Sequence, residues 1–177
     1  MKFIKTKIDG VFIIDIEPIS DNRGFFSRSW CRDEFLINGL DPNLAQCSFS
    51  YNEKKGTIRG LHYQETPHQE TKVVRCTSGR IFDVVVDMRK HSKSYMQWLA
   101  VELSSQNRRM IYVPIGVAHG FQSLENKTEV FYMVSTNYNK IFSRTINWQD
   151  PHIAIDWPQK SNYIISENDK KAPFINL

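Results

Sequence analysis

The sequence predicts an all-β fold, an antiparallel jelly-roll barrel or sandwich with a few short helices. Two observations favour it. About ten short segments rich in Val, Ile, Phe, Tyr and Trp recur along the 177 residues, separated by turn-forming residues every 8–12 positions. In the first half, only one segment has the capping residues of a helix. A jelly roll encloses a space between its sheets, so we expect the functional side chains to lie there.

The N-terminal part predicts a strand, a turn and a helix. Residues 8–16 are rich in Ile, Val and Phe and predict a strand. Asp21-Asn22-Arg23-Gly24 predicts a turn, because Asn, Asp and Gly tolerate the backbone angles that turns require. Residues 30–37 predict a helix that Ser29 caps and Gly39 ends.

The middle of the chain predicts a series of strands. Residues 72–76 and 80–88 flank Ser78-Gly79, which predicts a hairpin. Within the second of these strands, Asp83 shares a face with apolar residues, so its carboxylate faces either solvent or a cavity. Further strands are predicted at residues 98–103, 110–113, 120–124 and 129–135, and the chain after Pro151 is predicted to be irregular or helical.

Composition narrows the function classes. The length indicates one domain over residues 1–177, and 41% hydrophobic with 12% aromatic residues excludes a disordered chain. A net charge of +4 does not by itself indicate nucleic acid, but it suits an anionic small molecule. No apolar run is long enough for a membrane span and the N-terminus lacks a signal peptide. We therefore expect a protein that binds neither membrane nor nucleic acid. Cys31, Cys47 and Cys76 form no CxxC pair, so we also expect the protein to be reduced and cytoplasmic.

Two histidine motifs suggest a site. In Thr57-Ile58-Arg59-Gly60-Leu61-His62-Tyr63-Gln64, strand alternation places His62 and Gly60 on one face and Arg59 on the other. The absence of a side chain at Gly60 permits a close approach to the backbone. Pro114-Ile115-Gly116-Val117-Ala118-His119 is a turn typical of cupin barrels, and it delivers His119 to the barrel mouth.

The same motifs predict that no metal is bound. A catalytic metal needs about three protein ligands, and Gln64 occupies the place where a second histidine ligand is expected. The remaining set is His62, His119, Lys72, Arg59 and, where it faces the cavity, Asp83. Those residue types suit metal-free acid–base chemistry on an anionic ligand, since imidazole titrates near neutral pH and arginine binds phosphate.

Seven runs in the chain together resemble the dTDP-4-dehydrorhamnose 3,5-epimerase family, cupin-type enzymes that act on nucleoside-diphosphate 4-keto-6-deoxy sugars. They occur in the family's order across nearly the whole chain. The runs lie at residues 21–26, 59–64, 72–75, 83–89, 114–121, 147–151 and 155–158.

The resemblance implies a role for each matching residue. His62 matches the catalytic base, Asp169 the carboxylate that orients it, Lys72 the group that steadies the enolate, and Tyr132 the acid on the opposite side. The substrate-binding matches are Arg23, Arg59 and His119 for the diphosphate and sugar, Gln46 beside the base-binding strand, and Tyr138 for stacking on the nucleobase. Arg28 is expected near the nucleotide as well, although it departs from the family's residue. No cofactor is implied, because the ketone is already in the substrate. The family also implies a homodimer.

Several nucleotide-contact positions depart from the family's pattern. Arg28 stands where a glutamate is common, and Gln46-Cys47-Ser48 replaces a Gln-Asp-Asn run. A glutamate that follows the stacking tyrosine is replaced around Ser143-Arg144, and a lysine becomes Asn168. The nucleotide is therefore open between dTDP, CDP and GDP, and the inverted centre between C3, C5 or both.

Three alternatives stay open at this stage. A sugar-nucleotide 3,4-ketoisomerase uses a similar cupin cavity but moves the carbonyl. A metal-dependent cupin, such as a dioxygenase, would contain a stoichiometric transition metal. A non-catalytic sugar-nucleotide-binding domain would have no use for His62 and Asp169 together.

Overall fold

A computed structural model describes residues 1–176, which form thirteen strands and two short helices. The helices are α1 (Arg32–Ile37) and α2 (Glu167–Lys170). The strands are β1 (Lys2–Lys5), β2 (Phe12–Asp15), β3 (Ile19–Asp21), β4 (Gly24–Phe26), β5 (Gln46–Asn52), β6 (Ile58–Gln64), β7 (Lys72–Ser78), β8 (Arg80–Asp87), β9 (Trp98–Ser104), β10 (Met110–Val113), β11 (Val117–Ser123), β12 (Thr128–Val134) and β13 (Ser143–Thr145).

The strands form two large antiparallel sheets and one small one. One large sheet has six strands in the order β1-β2-β10-β7-β12-β5, and the other has five in the order β13-β6-β11-β8-β9. The third sheet is the hairpin of β3 and β4, and all its residues are exposed. This architecture confirms the predicted all-β jelly-roll fold. In such a fold each large sheet has an apolar face, and the two apolar faces pack against each other.

Three apolar clusters hold the layers together. The first combines Val74 and Val130 of the six-stranded sheet with Val85 and Phe121 of the five-stranded sheet, so it lies between the sheets. The second covers the outside of the five-stranded sheet with the C-terminal segment, including Trp148. The third packs Phe35 of α1 on the outside of the six-stranded sheet. The alternation predicted for β8 is confirmed, because Ile81 and Val85 enter the first cluster while Val84 and Val86 enter the second.

The predicted hairpin at Ser78-Gly79 is wrong. Strand β7 pairs with β10 and β12, whereas β8 pairs with β9 and β11. Gly79 has φ +74°, the left-handed angle that a tight turn requires. The turn carries the chain from one sheet to the other. Each of the two strands then forms hydrogen bonds with two neighbours in its own sheet.

The helix begins later than the sequence predicts. Cys31 is the N-cap of α1 and its side chain makes no capping hydrogen bond, so Ser29 does not cap the helix. The predicted end is confirmed: Gly39 has φ +72°, its N–H donates to the carbonyl of Leu36 at 3.0 Å, and the N–H of Leu40 donates to the carbonyl of Phe35 at 2.9 Å. These two bonds form a Schellman motif. Over residues 1–176, no helix has the length and apolar character needed to cross a bilayer.

Candidate active site

A cavity of about 780 Å³ opens at one end of the space between the two large sheets. That volume is in the range of small-molecule sites. Both sheets and α2 contribute to its wall, so residues far apart in the chain meet there. Eight of the ten predicted site residues line it: Gln46, Arg59, His62, Lys72, His119, Tyr132, Tyr138 and Asp169.

A break in strand alternation brings two predicted residues to the same wall. The sequence predicts Arg59 and His62 on opposite faces of β6, and this is wrong, because both line the cavity. The pairing of β6 with β11 shifts between His119 and Phe121, so that β6 has one extra residue there. At this point a Cβ on Gly60 would lie 2.6 Å from the Cα of Gly120, so the approach of the two strands requires glycine.

His62 is held by a carboxylate from the C-terminal segment. Its Nε2 lies 2.6 Å from Oδ1 of Asp169, and the other carboxylate oxygen accepts from the N–H of Gly60 at 3.4 Å. Ser166 caps α2 by accepting from the N–H of Asp169 at 3.1 Å, which places the aspartate in the first helical turn. The His62 side chain is 42% exposed and that of Asp169 is 8% exposed, so the imidazole faces the cavity and the carboxylate lies behind it.

The charge state of Asp169 determines which imidazole nitrogen is free. Burial acts to raise the pKa of this carboxyl, but the hydrogen bond and the charge of His62 and the N–H of Gly60 outweigh it and lower the pKa. Asp169 is therefore an acceptor, and the Nε2 of His62 carries the proton that it accepts. Nδ1 is then the nitrogen that can take a proton from a ligand.

Lys72 connects the two sheets inside the cavity. It begins β7 in the six-stranded sheet, and its Nζ donates to the carbonyl oxygen of His62, in the five-stranded sheet, at 3.3 Å. The same Nζ lies 2.8 Å from Oε1 of Glu70. The ammonium group is therefore held beside the histidine by a hydrogen bond to its carbonyl oxygen and by an ion pair with Glu70.

Tyr132 projects from the opposite wall. It lies on β12 of the six-stranded sheet, whereas His62 lies on β6 of the five-stranded sheet. Burial raises the pKa of the Tyr132 phenol, and the negative charge of Asp83 raises it further. The phenol therefore keeps its proton at neutral pH and can act as a donor.

His119 forms a second histidine–carboxylate pair. Its Nε2 lies 2.7 Å from Oδ2 of Asp83, and the side chains are 5% and 0% exposed. Burial raises the pKa of the Asp83 carboxyl, although the adjacent His119 opposes the shift. Asp83 thus takes the inward alternative of the two that the sequence leaves open. The ring of His119 also meets that of Tyr132 edge-on, with centroids 6.1 Å apart.

Polar contacts fix three residues at the rim. The Nε of Arg59 donates to Oδ1 of Asn52 at 2.9 Å and one terminal nitrogen donates to the carbonyl of Tyr51 at 3.2 Å. Gln46 accepts from the N–H of Tyr138 at 2.8 Å. The Tyr138 ring, 65% exposed, stands free at the mouth.

Arg23 and Arg28 do not line the cavity of their own chain. Arg23 pairs with Asp21 on the exposed β3–β4 hairpin, and Arg28 pairs with Glu34 of α1 at 2.9 Å. Both guanidinium groups are largely exposed, at 85% and 61%.

Some of the departures from the family's pattern face the cavity. Ser48, Ser143 and Asn168 line it, whereas Cys47 is exposed. Arg144 pairs with Glu65 at 2.7 Å. The changes at residues 48, 143 and 168 therefore alter the surface that a ligand meets.

Sequence reasoning missed Glu70 and the role of Gln64. The sequence assigns Gln64 no contact of its own, yet it is 2% exposed and its amide donates to Oε2 of Glu70 at 3.0 Å. The available signal was an acid two residues before the strand lysine Lys72. Because Glu70 lies in a loop, which has no alternation pattern, the sequence does not indicate that its side chain turns inward.

The similarity of this chain to known proteins extends over nearly its full length. A sequence profile described as dTDP-4-dehydrorhamnose 3,5-epimerase matches residues 5–176. The dTDP-4-dehydrorhamnose 3,5-epimerase of Methanothermobacter thermautotrophicus is 42% identical over 171 residues, 96% of this chain and 91% of the relative.

Two crystal structures are similar throughout. The dTDP-4-dehydrorhamnose 3,5-epimerase of Elizabethkingia anophelis has a TM-score of 0.95 at 34% identity, covering 98% of this chain and 96% of that one. The dTDP-6-deoxy-D-glucose-3,5-epimerase of Legionella pneumophila, in complex with dTDP-4-keto-L-rhamnose, has a TM-score of 0.91 at 35% identity, covering 98% and 92%.

The lowered pKa of Asp169 predicts a pH-dependent contribution to stability. The charged form of this group is favoured in the folded state, so its contribution is present above the unfolded pKa of about 3.9 and is lost as the pH falls through the lowered folded value. We expect Asp169→Asn to reduce the free energy of unfolding by about 1–2 kcal/mol at pH 7 and pH 5. Urea unfolding at pH 7, 5 and 3 should show the difference shrinking only at the lowest pH.

Asp156→Asn is the matched control. The Asp156 side chain is 74% exposed and forms an ion pair with Lys160 at the surface. Loss of its charge should therefore change the free energy of unfolding by less than about 0.5 kcal/mol. A deficit of Asp169→Asn that is unchanged at pH 3, or that grows on acidification, would contradict the assignment of Asp169 as an ionised partner.

Proposed function

The chain belongs to the dTDP-4-dehydrorhamnose 3,5-epimerase family, and we propose that it epimerises a nucleoside-diphosphate 4-keto-6-deoxy sugar at C3, C5 or both, without a cofactor. The observation that carries the proposal is the arrangement of His62, paired with Asp169, across the cavity from Tyr132, with Lys72 between the sheets. The first substrate to test is the dTDP-linked sugar, because the relatives named above act on dTDP sugars.

The reaction removes a proton from a carbon beside the ketone. In this proposal the Nδ1 of His62 takes the proton, the C–H electron pair forms a C=C bond, and the carbonyl electrons move to oxygen as an enolate. A positioned base contributes about 10²–10⁴-fold to such a step. Asp169 then holds the imidazolium that forms, as its lowered pKa permits. Lys72 donates an N–H to the enolate oxygen, where such a donor lowers the barrier by about 3–4 kcal/mol.

Inversion requires that the proton returns from the other face of the ring. Tyr132 lies on the opposite sheet from His62, and its phenol keeps its proton until the enolate accepts it. When carbon takes that proton, the carbonyl re-forms and the configuration is inverted. Solvent then reprotonates the phenolate and removes the proton from His62, so the enzyme returns to its starting state.

The rim of the cavity supports recognition of the nucleotide. Arg59, fixed by Asn52, supplies a charged fork for the diphosphate, and Tyr138 supplies an exposed ring on which a base can stack. Gln46 holds the Tyr138 backbone. In this proposal His119, whose Nε2 contacts Asp83, contacts the sugar from the cavity wall.

We also propose a homodimer, formed through the outside of the six-stranded sheet. Phe49, Phe131 and Arg75 lie in register across β5, β12 and β7 on this face. The adjoining part of the same face is covered by α1, but Phe49 is 66% exposed and the buried Nε of Arg75 has no hydrogen-bond partner among the described residues. A second copy would cover the aromatic rings.

The dimer also accounts for Arg23 and Arg28. Both belong to the exposed segment around β3 and β4, which carries Phe26 at 76% exposure and cannot reach the cavity of its own chain in this structure. In a dimer, this segment can extend to the partner's cavity and add cationic groups there. We place the enzyme in the cytoplasm, where its three free cysteines would persist as thiols.

Deuterium uptake tests the reaction directly. In D₂O, the protein should place deuterium at C3, C5 or both of a dTDP-linked 4-keto-6-deoxy sugar, because the protons that return come from solvent. NMR of dTDP-, CDP- and GDP-linked substrates measures the uptake, the number of centres and the base preference. A carbonyl that moves from C4 to C3 would instead indicate the ketoisomerase, and no uptake with any of the three would overturn the proposal.

Two variants separate the base from the acid. His62→Asn should reduce exchange at every centre by at least about 10²-fold, because no base remains. Tyr132→Phe should reduce inversion more than exchange, since proton removal from the His62 side survives. His152→Asn and Tyr95→Phe, outside the cavity, are the matched controls and should retain wild-type rates. If Tyr132→Phe inverts as fast as wild type, Tyr132 is not the acid.

Sedimentation tests the dimer. The protein should sediment as a dimer at micromolar concentration, and Phe49→Glu should shift it towards the monomer because a charge would be buried against Phe131. Ile115→Glu, at an exposed turn between β10 and β11, introduces the same change elsewhere and should leave the dimer intact. A monomeric wild type, or a dimer insensitive to Phe49→Glu, would rule out this interface.

A further inference from the structure

Glu70 has no part in the proposed reaction, although it forms a largely buried ion pair with Lys72 in the cavity wall. Oε1 of Glu70 lies 2.8 Å from Nζ of Lys72, and the two side chains are only 10% and 12% exposed. Glu70 lies in the loop between β6 and β7, two residues before the strand that carries Lys72. A buried pair of this kind is costly unless every remaining polar atom is satisfied.

Gln64 determines the role of the second Glu70 oxygen. The backbone N–H of Asn139 donates to Oε1 of Gln64 at 2.6 Å, which fixes the orientation of the amide because a backbone N–H can only donate. Nε2 of Gln64 therefore donates to Oε2 of Glu70 at 3.0 Å and to the carbonyl of His68 at 3.0 Å. Oε2 of Glu70 thus accepts a hydrogen bond while Oε1 lies at ion-pair distance from the Lys72 ammonium, an arrangement that suits a carboxylate.

The geometry at Lys72 leaves one donor for a ligand. An ammonium group has three N–H donors. One of them faces Oε1 of Glu70 and a second faces the carbonyl of His62 at 3.3 Å. Since Lys72 lines the cavity, the third can point into it.

We propose that Glu70 is a positioning residue that keeps Lys72 an ammonium and directs its remaining N–H at the enolate oxygen of the substrate. The inference deepens the proposed epimerase function and rests on it. Glu70 itself does not touch the substrate. It acts through Lys72, and Gln64 holds it in place.

The physical reason is the cost of an isolated charge in the wall. A lysine ammonium that is removed from water without a counter-charge tends to lose its proton, whereas a carboxylate within about 4 Å favours the charged form. The other titratable or charged groups around the cavity are Arg59, His62 and Tyr63 of β6, Asp83 of β8, His119 of β11, Tyr132 of β12, Tyr138 and Asp169. Asp169 contacts His62, and Asp83 contacts His119 while also feeling the charge of Lys72. Among the described residues, Glu70 is the acid within ion-pair distance of the Lys72 ammonium.

Two variants and one matched control test the proposal. Glu70→Gln keeps the size of the side chain and removes its charge, and Glu70→Ala also avoids placing two amide NH₂ groups against each other at Gln64. Glu65→Gln removes a carboxylate from the same loop, where it pairs with Arg144 outside the cavity. Thermal unfolding of all three confirms that comparisons are made on folded protein.

The first measurement does not depend on activity. In protein labelled with ¹³C at lysine Cε, the Lys72 signal is assigned by its loss in Lys72→Arg, and its pH titration is followed by NMR. In both Glu70 variants the ammonium should convert to the amine at a lower pH than in wild type, because a nearby carboxylate favours the charged form. In Glu65→Gln the titration should not move. An unmoved Lys72 titration in the Glu70 variants would overturn the proposal.

The second measurement is kinetic. Glu70→Gln should lower kcat about 10- to 100-fold near pH 8 with little change in KM, and should move the alkaline limb of the kcat profile down by the same interval as the NMR titration. A shifted titration with an unchanged kcat profile would also overturn the proposal, because Lys72 would then not be the donor. Failure of the proposed function is a separate result: the wild type would show no deuterium uptake, while the NMR titration would still decide whether Glu70 holds the proton on Lys72.

Discussion

The contact between His62 and Asp169 joins positions 107 residues apart, and the geometry of the cavity depends on it. The carboxylate reaches the histidine because the C-terminal segment returns to the start of β6. Ile164 exchanges backbone hydrogen bonds with this strand, accepting from Ile58 at 2.8 Å and donating to Gly56 at 3.0 Å. His62 lies on this strand, and Asp169 lies on α2, which begins three residues after Ile164. Backbone pairing with the start of β6 therefore brings the two side chains together.

The irregularity in β6 has a similar consequence. A regular strand would send Arg59 and His62 to opposite faces, one of them away from the cavity. The extra residue beside Gly60 turns both towards it, and the close contact with Gly120 lets β11 follow without a gap. Arg59 and His62 are therefore placed three residues apart on one wall of the cavity.

The sequence predicted the fold class, most of the strands and eight residues of the cavity, because those features follow from periodicity and from recognisable runs. The sequence-based predictions were wrong where the same local sequence is compatible with two different structures. Ser78-Gly79 is a good turn, but turn chemistry does not say whether the next strand pairs with the last one or enters the facing sheet. Alternation could not locate Arg59, because a bulge depends on the partner strand. Glu70 lies in a loop, where no period exists, and Arg23 and Arg28 lie on the exposed segment around β3 and β4, outside the cavity.

The two histidine–carboxylate pairs of the cavity use the same residue types, yet their surroundings suit only one of them to the proposed proton removal. At Asp83 burial prevails and raises the pKa of the carboxyl, and His119 beside it is 5% exposed. At Asp169 the contacts with His62 prevail and lower the pKa, and His62 is 42% exposed to the cavity. A base must form a stable cation when it takes a proton and must then exchange that proton with solvent. An ionised Asp169 stabilises the cation, and the exposed side of His62 permits the exchange. The pair of His119 and Asp83 is enclosed and the pKa of its carboxyl is raised, so it meets both conditions less well. The difference in solvent access therefore distinguishes His62, which suits the proposed role of base, from His119, which is enclosed in the wall of the cavity.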